Sequence, residues 1–337
     1  MARAKPAAAN MSEGALSYLD VYLAPLLPIL ARADVTDILI NRPGEIWVET
    51  LGGAMERIAD HAIDEQRLRH LARQIASLNH QGISREHPLL AATLPDGARV
   101  QVVAPPATRG HMAIAIRKHV MPDLRLGDYV SGGAFAETRV NIGAAPQSAL
   151  ALPASDSPGA VASFLADLVR ERRNVLISGG TATGKTTFLN ALIKEIPAQE
   201  RLVLIEDTAE LSIAHDNVAA LIATKGEQGE ALVTAEDLLQ AALRMRPDRI
   251  ILGELRGREA YTFLRAVNTG HPGSLSTIHA DSPEGALEQL ALIVLQSGTQ
   301  LRRDDILDYA RQVIDVIVQL ERRDGERRIA RVMLTRG

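Results

Sequence analysis

Apolar positions along the chain follow two different rhythms. In the N-terminal third, β-branched runs at Val35–Ile40 and Glu45–Val48 flank Asn41, Arg42, Pro43 and Gly44, a turn composition that predicts a hairpin. Behind Asp64 as an N-cap, Leu68, Leu71, Ile75 and Leu78 recur at helical spacing, and Gly82 stands just past the end. Arg99–Val103 and Met112–Ile116 read as two further strands around the Pro105-Pro106 turn. Together these predict a small α+β domain over residues 15–130. From Ala160 the rhythm changes to helices alternating with short apolar strands at Val175–Ile177, Leu202–Ile205, Ile250–Leu252 and Leu275–Ile278. That alternation predicts an α/β fold with a parallel sheet over residues 160–337. Thr234 and Asp237 suit a capping box, Arg246-Pro247 ends that helix, and Ser282-Pro283 opens the next. The stretch VIVQLERRDGERRIARVML predicts a hairpin about Asp324-Gly325; its arginines are either solvated surface charge or a nucleic-acid patch.

Three stretches fit neither rhythm. Residues 1–14 read as a disordered tail, without the apolar core of a signal peptide. Tyr18–Leu30 is apolar but too short to span a bilayer and is interrupted by Pro25 and Pro28; it either packs on the N-terminal domain or meets a membrane surface or partner. Residues 131–159, rich in Gly, Ala, Ser and Pro, read as a flexible linker that allows relative motion of the two halves.

Composition narrows the function classes. The 337-residue chain is 46% hydrophobic and 23% charged, with a net charge of -4 and no cysteine. Its pI is near 6.2. Thiolate metal sites and disulfides are excluded. No global basic field exists to hold nucleic acid, and 3% aromatics leave few stacking platforms for single strands, so there is no strong nucleic-acid signal.

One stretch carries specific chemistry. Asn174–Leu189 joins an apolar strand to a glycine-rich turn and a helix start, and Gly179 to Thr186 spells G-x-x-x-x-G-K-T. Glycines let consecutive backbone N–H groups turn inward on phosphate oxygens, and the helix start adds its positive end. The expected nucleotide site is therefore Gly179, Gly180, Thr181, Ala182, Thr183, Gly184, Lys185, Thr186 and Thr187. Lys185 would reach the β- and γ-phosphates of ATP, and Thr186 would ligate Mg²⁺. Val175, Leu176 and Ile177 supply the preceding strand; Phe188, Leu189 and Leu192 supply the buried face of the helix.

Whether the nucleotide is cleaved depends on polar residues at neighbouring strand ends, where ligands collect in open α/β sheets. Glu206 and Asp207 end one strand and serve either the site or turn chemistry. Glu254 ends another, placed to activate water, or else merely pairs with Arg256 or Arg258. His279 ends a third, where an imidazole could sense the γ-phosphate. His271 and His279 are alternatively metal ligands or structural histidines. No obvious arginine finger stands inside the core motifs, although Arg244, Arg246, Arg256 and Arg258 surround them, so transition-state charge is expected from Arg117 and Arg99 of the N-terminal domain or from a neighbouring subunit.

GGTATGKTT, LIEDTAEL, RMRPDRIILGELRGREAY and GHPGSLSTIHA, in this order, resemble the Walker A, Asp-box, Walker B and His-box segments of the secretion ATPase superfamily. ADVTDILINRPGEIWVE and HMAIAIRKH resemble the TrbB-type conjugative-transfer ATPases, the traffic ATPases of type IV secretion systems. The resemblance implies a RecA-like P-loop core with a smaller α+β N-terminal domain, a homo-hexameric ring, and ATP with Mg²⁺ held between the domains. It also implies other type IV secretion components as partners and a cytoplasmic location, peripheral at the inner membrane. The implied function is ATP hydrolysis driving ring cycling in secretion, conjugation or pilus biogenesis. Type II assembly motors commonly carry a tetracysteine segment, absent here, whereas pilus retraction or assembly motors remain competitors. Outside the enzyme class, the alternative is a nucleotide-gated scaffold with little turnover. Ala182 departs from the glycine common at its position; αR or β backbone there would make the change harmless.

Overall fold

The computed structural model describes residues 13–51, 53–118, 123–143, 153, 155, 157–224, 232–323 and 325–335, with side chains from Tyr18 onward. The expected tail lies, except for its last two residues, outside this set. The described residues form two compact units, 13–118 and 123–335.

In the first unit, helices α1 (Glu13–Leu23) and α2 (Leu27–Leu30) precede strands β1 (Val35–Ile40), β2 (Glu45–Thr50) and β3 (Met55–Ala59). Helix α3 (Glu65–Leu78) and strands β4 (Leu89–Thr93), β5 (Arg99–Val103) and β6 (Ala113–Arg117) follow. The six strands form one antiparallel sheet in the order β3-β2-β1-β6-β5-β4. Asp64 caps α3, its side chain accepting from the Arg67 N–H at 2.6 Å. Leu68, Leu71, Ala72 and Ile75 of α3 pack with Ile38, Ile46, Val100, Val102, Ile114 and Ile116 of the sheet. Leu19, Leu23, Leu26 and Ile29 join this core, so the apolar N-terminal run does pack on its own domain, while Tyr18, Val21 and Leu27 stay exposed.

In the second unit, α4 (Leu126–Ser131), β7 (Arg139–Ile142), α5 (Pro158–Arg170), β8 (Val175–Gly179) and α6 (Lys185–Ile193) lead into β9 (Leu202–Glu206) and β10 (Val218–Ile222). Then come α7 (Ala235–Ala242), β11 (Arg249–Leu252), α8 (Glu259–Asn268), β12 (Leu275–Ile278), α9 (Pro283–Gln296), α10 (Arg303–Val313), β13 (Val316–Arg323) and β14 (Glu326–Leu334). Their sheet runs β10-β9-β11-β12-β8-β13-β14-β7. Strands β10 through β13 are parallel, and β14 turns back antiparallel beside β13. Alternate residues of β8 face opposite cores: Val175 and Ile177 pack against α5 and α6, Leu176 against the α8–α10 side. Burial on both faces explains why these strands read as continuous apolar runs.

The boundaries differ from those expected. Helix α4, assigned above to the N-terminal domain, contributes Leu126 and Tyr129 to the second unit's core. The linker expected over 131–159 holds β7, which pairs with β14 along Arg139–Ile142; Phe135 is fully buried and the Thr138 hydroxyl donates to the Ile329 carbonyl at 2.6 Å. A four-residue edge strand is too short to leave a period in such Gly- and Ala-rich text. Most of residues 144–156 lie outside the described set. The C-terminal hairpin is also more than a surface feature: β13 inserts beside β8, and its first five residues are buried.

The N-terminal ends of these strands are braced by Arg249, which is 0% exposed. Its guanidinium donates to both carboxylate oxygens of buried Glu200, at 2.7 and 3.0 Å, and to the Val169 carbonyl at 2.6 Å. Gly273 has a φ of +82° and lies so close that an added Cβ would meet Arg249 Nη1 at 2.7 Å. Removing the guanidinium would strand the Glu200 charge, so Arg249→Ala should cost about 3–5 kcal/mol of unfolding free energy. Chemical denaturation measures this, and a loss below about 1 kcal/mol would contradict the bracing role.

Candidate nucleotide site

Parallel register brings four strand ends to one edge. Leu252 of β11 lies opposite Ile205 of β9 and Ser276 of β12, and Ile278 lies opposite Ser178 of β8. Glu206, Gly253-Glu254, His279 and the turn after Gly179 therefore occupy neighbouring positions.

The turn itself is tightly built. A Cβ on Gly179 would fall 2.5 Å from Thr183 Oγ1 and 3.0 Å from the Leu320 carbonyl oxygen, so only glycine fits without a shift. The Thr183 hydroxyl donates to the Gly180 carbonyl at 3.0 Å, closing the loop across its base. Gly184 caps α6 in the left-handed region at φ +90°. Ala182 also lies there, at φ +60°. The αR or β backbone that would make alanine harmless here is therefore not the one adopted: a Cβ in the left-handed region costs about 1–2 kcal/mol. Thr181 and Ala182 are exposed, Thr186 is half-buried in the first turn of α6, and Thr187 is buried behind it.

Lys185 Nζ donates to the carbonyls of Gly179 and Gly180, both at 2.9 Å. Burial pushes its ammonium below the ordinary lysine value; Glu254 raises it and Arg256 lowers it, so both side chains act on Lys185 electrostatically. Arg256 donates to Glu254 at 2.5 Å and to Asp207 at 3.4 Å, bridging the ends of β11 and β9. The salt-bridge alternative for Glu254 is thus real, and it coexists with a position facing the loop lysine. Glu206 is buried, and its Oε1 accepts from the N–H groups of Glu210 and Leu211 at 2.8 and 2.7 Å, which is turn chemistry. That bond also fixes its carboxylate beside Gly253, whose added Cβ would meet Glu206 Cγ at 3.6 Å.

His279 is exposed at the end of β12. His271 lies before the start of the same strand, where its Nδ1 meets the Pro247 carbonyl at 3.0 Å, a structural role. The two histidines bracket β12 at opposite ends, and no cluster of three or more His, Asp or Glu able to hold a metal exists among the described residues. Arg99 and Arg117 belong to the first unit, where they are direct cross-strand partners, and Arg117 pairs with Asp37 at 2.9 Å.

Two side chains at this edge were not among the expected site residues, although Thr277 lies inside the quoted GHPGSLSTIHA segment. The Thr277 hydroxyl donates to the Gly253 carbonyl at 2.8 Å while the Leu255 N–H returns a bond to Thr277, holding the turn that carries Glu254. Asp281 Oδ1 lies beside Gly180, 3.7 Å from where a Cβ would stand. Position two residues beyond His279 was the only sequence signal for Asp281.

The site fits a phosphate-bearing nucleotide: it has a glycine-rich turn closed by left-handed Gly184 at the start of α6, an ammonium on loop carbonyls, and the Glu254 carboxylate acting on that ammonium. Thr186, next to Lys185 in the first turn of α6, and Glu254, which acts on that lysine, are hard oxygen donors of the kind that suits Mg²⁺. A family model described as "Type II/IV secretion system protein" matches residues 21–323. The chain belongs to this family. It is 37% identical to the type IV secretion system protein VirB11 of Bartonella henselae, over 96% of this chain and 94% of that protein. With the type IV secretion system protein PtlH of Bordetella pertussis it shares 38% identity over 91% of each. Among solved structures, the VirB11 ATPase from the Brucella suis type IV secretion system, in complex with sulphate, is 37% identical with a TM-score of 0.50, covering 94% of this chain and 97% of that one. The pilus retraction motor PilT with bound ADP shares the fold at a TM-score of 0.59 and 20% identity, over 94% and 82%.

Two outcomes test the loop geometry. Gly179→Ala should abolish nucleotide binding, since the Cβ cannot coexist with Thr183 as placed; retained affinity in a titration would contradict the cradle. Ala182→Gly should leave thermal stability unchanged or raise it, by up to about 1 kcal/mol, because relief of left-handed strain offsets the added unfolded-state entropy. A lowered Tm would show that Ala182 is not strained.

Proposed function

We propose that this protein is a Mg²⁺-dependent ATPase of a type IV secretion system, of the TrbB and VirB11 kind, with a RecA-like core. The observation that carries the reading is Lys185: its ammonium is held by the carbonyls of Gly179 and Gly180 inside the glycine-rich loop, under the electrostatic influence of Glu254. Relatives named as type IV secretion proteins, and a solved relative named as an ATPase, support the cellular role.

In this reading a triphosphate replaces the two carbonyls as partner of Lys185, exchanging neutral acceptors for charged ones. Backbone N–H groups of the loop and of the first turn of α6 donate to the phosphate oxygens. Mg²⁺ bound by Thr186 and the phosphates would neutralise charge building on them. A Glu254 carboxylate oxygen takes the proton of the attacking water, and Arg256 holds that carboxylate in place. Thr277 and Glu206 position the turn, His279 senses the γ-phosphate, and Arg99 and Arg117 supply transition-state charge. The same reading includes a homo-hexamer working with other secretion components, cytoplasmic and peripheral at the inner membrane. No helix among the described residues is long and apolar enough to cross a membrane.

Lys185→Ala should abolish both binding and turnover, and steady hydrolysis by that variant would sink the assignment. Glu254→Gln should bind ATP while turnover falls by about 10²–10⁴-fold. Specific activity should rise with protein concentration as rings assemble; tight binding without turnover at any concentration would favour the nucleotide-gated scaffold. Because phosphate restores the ordinary proton affinity that burial takes from Lys185, nucleotide binding at alkaline pH should take up a proton and weaken as pH rises. Calorimetry in buffers of different ionisation enthalpy measures the uptake; none anywhere between neutral pH and the ordinary lysine value would contradict this coupling.

A further inference from the structure

The loop has a neighbour on the side away from its carboxylates. Gly184, at the start of α6, is covered by the side chain of Arg327: a Cβ on Gly184 would lie 3.2 Å from Arg327 Cδ and 3.7 Å from its Nε. Arg327 stands near the start of β14 and is laddered to Arg322 of β13. Alternation along the hairpin places both arginines on the sheet face of Leu320 and Ile329, which pack into the same core as Phe188 and Leu189 of α6. Two cations thus face each other across a ladder beside a phosphate loop, an arrangement that repels unless an anion joins it. Arg322 reaches only the Gly325 carbonyl, at 3.4 Å, and Arg327 has no ion pair or hydrogen bond among the described residues.

Strand order supplies the direction. Glu206, Glu254 and His279 end strands on one flank of β8, while β13 and β14 form the other flank. A triphosphate whose terminal phosphate faces Glu254 and whose β-phosphate meets Lys185 must run its α-phosphate and nucleoside away from the carboxylates, toward the hairpin. We propose that Arg327, assisted by Arg322, binds the α-phosphate end of the nucleotide from within the same chain, and that this contact sets affinity for diphosphate and triphosphate alike. This rests on the ATPase reading but is separable from it, because the contact is present with ADP and takes no part in cleavage.

The test compares wild type, Arg327→Ala and Arg327→Lys by titration with MgADP and a non-hydrolysable MgATP analogue, together with steady-state ATP hydrolysis. Arg327→Ala should keep the wild-type Tm, since the side chain is exposed and unpaired, and should weaken both nucleotides by a similar factor, about five- to thirty-fold. KM should rise by the same factor with kcat within about two-fold, and Arg327→Lys should recover part of the affinity. Unchanged ADP affinity in Arg327→Ala would overturn the proposal. So would a loss confined to the triphosphate, which would mean a γ-phosphate contact, or a fall in kcat at unchanged affinity. Wild-type protein that binds neither nucleotide would instead overturn the ATPase reading itself, and the proposal with it.

Discussion

The crowding at the end of β8 is the constraint on which the rest of the site depends. With Thr183 Oγ1 2.5 Å and the Leu320 carbonyl 3.0 Å from where a Gly179 side chain would begin, the chain has one way to leave the strand. That exit turns the loop back on itself through the Thr183 to Gly180 bond and the left-handed residues Ala182 and Gly184. Lys185 is then delivered onto the two carbonyls that a phosphate would displace. Leu320 belongs to β13, so the fit of the loop depends on a strand contributed from the far end of the sequence.

The two ends of the parallel strands have opposite chemistry. At the N-terminal ends a buried Arg249–Glu200 pair, whose hydrogen bonds extend to α5, locks the strands in place. At the C-terminal ends the charges are partly exposed and bridged through Arg256, which can exchange partners at modest cost because solvent already screens it. Rigidity is placed where nothing has to move, and adjustable pairs are placed where a nucleotide would enter.

Much of this was legible in the sequence. The strands β8, β9, β11 and β12 are buried on both faces and announce themselves as apolar runs, and their chemistry sits at or just past their last residues because ligands gather there in parallel sheets. Strands β3, β4, β7 and β10 were not legible: β3 is almost wholly exposed, β4 buries only Leu90, β7 has four residues in Gly- and Ala-rich text, and β10 is an edge strand whose residues are all only partly buried or exposed. The left-handed backbone at Ala182 leaves no local signal, because alanine is a residue that nothing marks for that region. The nearness of Arg327 to Gly184 was equally hidden, since it follows from β13 crossing over to lie beside β8, and no spacing in the chain encodes that neighbour.

The central claim is that this loop serves hydrolysis as well as binding. Its most direct test is release of inorganic phosphate from ATP by the purified 337-residue chain, followed with excess Mg²⁺ and again with the cation chelated. Steady multiple-turnover release that requires Mg²⁺ and stops on chelation is expected. Release that is indifferent to Mg²⁺, or a single stoichiometric binding event with no release, would contradict it.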